Sequence, residues 1–492
     1  MNDRRFWNWV LLACALAVGV NAGFAPLADP DFPMHLVVGE WIVKHRAVPY
    51  VEPFAWTRPG EPYYAYSWLP QVLLFATMCV AGPLGLHLLA GLLGMGIVYA
   101  GAFMARSLGL HAAGATLLGA ASGYVALEST PFLRPQLLMF VLAPLSWALV
   151  ASYVERPTGR HGTLLALLVL SAIAANTHIS FPVVAAPLAL VLARRDDSLR
   201  VGTTLIAATV VGWLVSPYAF AWVDVFRLNF VRNLITTEPG LVGELQPGFS
   251  VRPWLGVALA SLPLLGMRTL SARERVVFGG LWLAGLATFA LAFKGLGPWW
   301  WCASPLLVAA LSHLPAEEVE RRRQLVAGGL VTLLAAVALP NVILLKHLKQ
   351  FEGTNEARRL PSIKAFAAEP LARWMETHAR GDVPGRLLTT FEYGSYLRWR
   401  LPALSESIDS RNIFPDSVVL STERASGAPR LGPWRVADVA IFPVVYPLAA
   451  VLDSNPAWER VMVAPPPPWA PEARRAGLWV RRAWWKGASS SE

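Results

Sequence analysis

Apolar and polar positions along this chain segregate into long blocks. An apolar run from Phe6 to about Ala25 follows Arg4-Arg5. A polar stretch comes next, and apolar runs then recur at Pro83–Met104, Ala112–Glu128, Gln136–Tyr153, Thr163–Ala175, Phe181–Ala193 and Val201–Ala221. The series continues with Trp254–Met267, Val276–Phe293, Trp299–His313 and Leu325–Leu345. A helix needs roughly 20 apolar residues to cross a bilayer, so with the first run these predict about eleven spans. The first run reads as an uncleaved span because so many others follow it. Trp68–Val80 is apolar but short and contains Pro70 and Gln71, so it predicts an interfacial helix.

Loop charges test that count. With Trp68–Val80 left on the surface, Arg106, Glu155–Arg160, Arg194-Arg195 with Arg200, Arg268–Arg275 and Arg321-Arg322-Arg323 all fall on one side. The positive-inside rule makes that side cytoplasmic, together with the N-terminus, and turns the loop after the first span outward. Beyond Leu345 no run is long enough to span. Lys346–Glu492 therefore predicts a soluble domain on the outward side. Within it Ser362–His378 has helical spacing with a break at Pro370, whereas Arg386–Arg398, Val436–Val445 and Gly477–Val480 read as strands. Leu448–Leu452 reads as a short helix. The fold class is thus an α-helical polytopic membrane protein with a C-terminal soluble α/β domain. Residues 1–345 form the transmembrane part with an outward loop over 26–68, and residues 346–492 form the extracytoplasmic domain.

Composition agrees with a membrane protein. The chain is 55% hydrophobic and 15% charged, with a mean hydropathy of +0.45, against roughly 25% charged residues in soluble domains. The net charge of +10 would suit nucleic acid, but the arginines cluster between apolar runs, which excludes that partner in favour of membrane topology. Cys14, Cys79 and Cys302 lie in apolar runs without paired spacing, so neither a disulfide framework nor a zinc site is expected.

The candidate chemistry sits in the first outward loop. Asp29 and Asp31 flank Pro30, where an extended backbone would point both carboxylates the same way. One can take a proton from a hydroxyl while the other orients an acceptor or a divalent cation, magnesium or manganese. His35, Arg134, His178 and Lys294 can offer donors or positive charge to a phosphate. Gln136, Asn176 and Glu244 are further polar groups on the same outward side, where ionisable groups at membrane depth mark sites. Taken singly they also fit plain roles, such as a snorkelling Arg134 or a hairpin satisfied by Asn176 and His178. The loop aromatics Trp41, Trp56, Tyr63, Tyr64, Tyr66 and Trp68 suit either sugar stacking or an interfacial belt. Two rivals stand beside an enzyme: a transporter or flippase for a lipid-linked glycan, for which His87 is the clearest mid-span ionisable group, and a non-enzymatic envelope assembly protein.

Several short motifs together resemble the bacterial members of the GT-C superfamily, integral-membrane glycosyltransferases that use polyprenyl-phosphate sugars. They are Asp29-Pro30-Asp31 with His35-Leu36 and Gly39, then Pro49, Pro53-Phe54, Thr57, Gly60 and Trp68-Leu69. Leu133-Arg134-Pro135-Gln136, Ala175-Asn176-Thr177-His178 and Ser216-Pro217-Tyr218 continue the likeness, which ends in Tyr393-Gly394-Ser395-Tyr396-Leu397 and Asp409-Ser410-Arg411. The resemblance implies an inverting, metal-optional, mannosyltransferase-like transfer of a sugar from a polyprenyl phosphate to a glycan, lipid or protein acceptor at the outer face of the bacterial cytoplasmic membrane. It assigns the base role to Asp29 first and Asp31 second. Phe32-Pro33-Met34, Ala174 and Lys294 stand where related sequences often carry tryptophans, a tryptophan and an arginine.

Overall fold

The computed structural model describes residues 3–25, 27, 29–130, 133–155, 160–230, 247–251, 253–312, 321–332, 334, 336, 368–378, 383–411, 413–414, 416–422, 432–465 and 475–489. The chain divides into two compact units, one comprising residues 1–25, 84–224 and 239–347, and the other residues 26–83, 225–238 and 348–492. Residues 26–83 and the C-terminal segment thus belong to one body.

The first unit is helical. Among the described residues, four helices of the chain are long and apolar enough to cross a membrane: Arg4–Phe24, Trp68–Ser107, Gln136–Glu155 and Ala272–Leu291. Shorter apolar helices cover His161–Ala175, Phe181–Arg194 and Leu199–Trp213. Small residues let the first helix approach its neighbour closely: a methyl on Gly19 would meet the Gly91 carbonyl at 2.9 Å. Such approaches hold apolar helices together where the hydrophobic effect between them is weak. His87 lies at the same seam and its Nδ1–H donates to the Gly23 carbonyl at 2.8 Å.

The stretch Trp68–Ser107 is two helices that meet at a kink, with non-helical angles at Gly82 (φ 58°, ψ −157°), so the predicted helix Trp68–Val80 and the predicted span Pro83–Met104 are distinct. Gly82 takes the left-handed turn that other residues resist, and Pro83 then opens the next helical stretch, where its missing N–H costs nothing.

In the second unit a five-stranded mixed sheet carries the C-terminal part. The strands are β1 (Gly385–Thr389), β2 (Leu404–Glu406), β3 (Val439–Pro443), β4 (Trp458–Ala464) and β5 (Ala476–Arg481), in the order β2-β1-β3-β5-β4. β1 pairs in parallel with β2 and with β3, while β5 runs antiparallel to β3 and β4. The strand predicted over Arg386–Arg398 ends at Thr389, and Phe391–Arg400 is a helix. Pro370 falls in the first turn of the helix Ala368–His378, where proline is tolerated, and so does not break it. Arg400, almost wholly buried, ties these two helices together, with Nη1 2.9 Å from Glu369 and Nε 3.1 Å from Glu376.

The edge strand β2 is covered by the loop segment 54–57. The Trp56 N–H donates to the Glu406 carbonyl at 3.1 Å, Ser405 Oγ donates to Phe54 O at 3.0 Å, and Thr57 Oγ1 donates to Ser407 O at 2.5 Å. A covered edge cannot recruit strands from other chains.

Candidate functional site

The expected extended arrangement of Asp29 and Asp31 is replaced by a turn that opens a helix. Asp29 Oδ1 accepts the Asp31 N–H at 3.1 Å, and the Asp29 carbonyl accepts the Phe32 N–H at 3.1 Å. This local side-chain bond is what aspartate before a proline offers the backbone. Asp31 then sits at the head of the helix Phe32–His45 with φ −76° and ψ −24°. Asp29 is fully buried and Asp31 half-buried. The two carboxylates differ in surroundings, which suits different roles.

His35 lies one turn into that helix, with its Nδ1 3.2 Å from Gln71 Nε2. The helix also packs on Phe391–Arg400, the segment carrying the Tyr393–Leu397 motif. Asp29, Asp31 and His35 therefore belong to the same unit as that C-terminal segment.

A second ionic group of the same unit is not predicted as a cluster by the sequence. Glu52 receives Arg411 in two parallel bonds, Nη1 to Oε2 at 2.7 Å and Nη2 to Oε1 at 2.9 Å. Arg411 Nε lies 2.8 Å from Asp409 Oδ1, and Glu52 Oε1 further accepts the Phe54 and Ala55 N–H groups at 2.8 and 3.0 Å. The guanidinium stands 4.7 Å from the Tyr63 ring centre and 5.2 Å from that of Phe54, a cation–π setting. Burial pushes the Glu52 carboxyl up, but Arg411 and the two backbone donors outweigh it and hold the pKa below the ordinary value. Two of the loop aromatics, Trp56 and Tyr63, have partners within this unit. Trp56 Nε1 donates to Leu387 O at 3.1 Å, and Tyr63 lies beneath Arg411. Sequence offers one signal for this cluster, the Asp409-Ser410-Arg411 motif, but nothing that pairs it with Glu52.

Glu406, on β2, is fully buried, and neither carboxyl oxygen has a hydrogen-bond partner among the described residues. Arg398 Nε lies 3.7 Å from Oε2. Burial raises its pKa from 4.5 to about 8, with Asp409 adding to the rise and Arg398 opposing it. The folded chain therefore keeps a proton that the unfolded chain releases, so stability falls as pH rises between those values. We expect Glu406→Gln to flatten that decline and to raise the melting temperature at alkaline pH, each tenfold change in the acid constant being worth about 1.4 kcal/mol. Thermal unfolding of the detergent-solubilised chain from about pH 5 to about pH 9 checks this. Parallel melting curves for the two proteins would overturn it.

The remaining candidates belong to the first unit. Gln136, buried, begins the helix Gln136–Glu155, and Arg134 stands two residues before it. Lys294 occupies the turn Phe293–Gly295 before the helix Leu296–Ser312. These two helix starts meet: a methyl on Gly297 would lie 3.1 Å from Phe140, and the Phe140 and Trp301 rings stand 4.8 Å apart. Asn176 Nδ2 donates to Ala172 O at 2.8 Å, and His178 Nδ1 lies 2.8 Å from Ser180 Oγ. The segment that follows, Phe181–Leu188, packs on both helices. The helices that begin after Arg134 and after Lys294 thus share a neighbour in Phe181–Leu188. Positive helix-start dipoles at Gln136 and Leu296 favour an anion there. Glu244 lies outside the described residues. Among those residues no three His, Cys, Asp or Glu side chains gather closely enough to hold a metal ion.

The fold of this chain is similar to that of two solved proteins. The arabinofuranosyltransferase AftD from mycobacteria matches at a TM-score of 0.62 and 14% identity, over 96% of this chain and 40% of AftD. ArnT from Cupriavidus metallidurans in its apo state matches at 0.51 and 14% identity, over 97% of this chain and 98% of ArnT. The chain therefore spans well under half of AftD. No family model and no curated protein matches the sequence.

Proposed function

We propose that this protein is an inverting glycosyltransferase that moves a sugar from a polyprenyl phosphate to an acceptor hydroxyl of a glycan, lipid or protein. The transfer takes place at the outer face of the bacterial cytoplasmic membrane. In this reading residues 1–345 cross the membrane about eleven times from a cytoplasmic N-terminus, and residues 346–492 are extracytoplasmic. The observation that carries it is the place of Asp29: a fully buried side chain in the turn before the helix Phe32–His45, which follows the first apolar helix in sequence.

Asp29 takes the acceptor proton as the hydroxyl oxygen attacks the anomeric carbon. The bond from that carbon to the phosphate oxygen breaks, and polyprenyl phosphate leaves as the anion. Asp31 orients the acceptor. His35, Arg134, Gln136, Asn176, His178 and Lys294 supply donors and charge to the departing phosphate, a role supported by their chemistry and by the helix starts beside Gln136 and Lys294. No step is routed through a metal.

The test is transfer of radiolabelled sugar from polyprenyl phosphate in membranes containing the protein. Label is expected to pass to an acceptor only when the chain is present. In a deletion strain, loss of one sugar from an envelope glycan supports the enzyme. Accumulation of a complete lipid-linked glycan would sink it in favour of a flippase.

A further inference from the structure

The helix Phe32–His45 and the start of the helix Trp68–Ser107 touch at Gly39, and the contact governs a side chain one turn earlier. A methyl on Gly39 would overlap the Gln71 carbonyl and lie 2.8 Å from Phe75 Cβ. His35 precedes Gly39 by one turn, so the two share a helix face. Gln71 is 5% exposed. Its Nε2 lies 3.2 Å from His35 Nδ1, and its Oε1 is buried without a hydrogen-bond partner among the described residues. An amide nitrogen only donates. In this arrangement Nδ1 is the acceptor, and the ring proton of a neutral imidazole must be on Nε2.

We infer that Gln71 is a positioning residue that holds His35 as the neutral Nε2–H tautomer, so that the ring presents one N–H donor to an anionic phosphate oxygen. The inference rests on the reading of His35 as a phosphate ligand given above. On the Gln71 side, residues 68–75 of the facing helix carry no charge. On its own helix the charged neighbours are Asp31, whose carbonyl accepts the His35 N–H at 3.2 Å, and Glu40, which is paired with Lys44 at 2.7 Å. A flipped amide, with Oε1 taking an Nδ1–H, would bury an unpaired NH2 group instead and present a bare Nε2.

Nitrogen NMR of the full chain in lipid nanodiscs, labelled with 15N-histidine, reads the tautomer without turnover. The expected wild-type spectrum has His35 protonated on Nε2, and Gln71→Leu should let both tautomers appear. Gln71→Glu should place a proton on Nδ1 and raise the ring pKa by about one unit or more, moving the acid limb of the transfer pH profile upward by the same amount. A wild-type ring protonated on Nδ1, or a titration untouched by Gln71→Glu, would overturn the inference. The expected tautomer in a protein that transfers no sugar would leave the pairing standing and remove the glycosyl-transfer reading on which its purpose rests.

Discussion

Asp29→Asn is expected to lower sugar transfer by about 10²–10⁴-fold while leaving the amount and thermal stability of the protein unchanged. The substitution separates chemistry from folding for a structural reason. One bond of the Asp29 side chain lies within the loop, where Oδ1 accepts the Asp31 N–H at 3.1 Å, and an amide oxygen accepts that bond equally well. The helix Phe32–His45 can therefore start as before, while the carboxylate that would take the acceptor proton is gone. Initial rates of label transfer in proteoliposomes, at matched protein levels, measure the effect. Normal turnover would remove Asp29 from the base role. Asp31→Asn, which leaves the base in place, should have the smaller effect.

Arg411→Met is expected to destabilise the second unit by about 3–5 kcal/mol, because it leaves buried charges without a counterion. The side chains of Glu52 and Asp409 are both fully buried. The methionine would still pack beside Phe54 and Tyr63, so the loss is electrostatic rather than steric. The triple variant Glu52→Gln/Asp409→Asn/Arg411→Met should recover much of the stability, since an amide oxygen at position 52 can still accept the Phe54 and Ala55 N–H groups. Thermal unfolding of the full chain in detergent compares the two. A single variant that melts with the wild type would show that the cluster contributes nothing.

What the sequence makes legible follows from range. Helical blocks such as Gln136–Glu155 announce themselves through continuous apolar composition, and the loop that carries Asp29 stands out as the polar gap after the first of them. The break at Gly82 is visible as a glycine before a proline. The kink there ends one helix and starts the next, as that dipeptide leads one to expect. Arg386–Arg398 is half legible: β1 carries the apolar residues Leu387 and Leu388, but the following Phe391–Arg400 turns helical to pack on the loop helix. Strand β4 is hidden because Glu459 and Arg460 interrupt its apolar pattern. Asp29 and His35 stand out because their chemistry is local to one loop. Gln71 reads in the sequence only as a polar residue weakening a short apolar run, and its partner His35 lies 36 positions away.

The bond between Glu52 and Arg411 joins residues 359 positions apart, and this sets an order on synthesis. At roughly 5–20 residues per second, Glu52 leaves the ribosome roughly 20–70 s before its partner. Throughout that interval the first loop has neither the guanidinium for its carboxylate nor the β2 edge for its backbone. Its final shape is therefore fixed among the last events of assembly, after the intervening apolar helices have been made. A chain cut short before Arg411 would carry the membrane helices complete and the loop that holds Asp29 without its clasp.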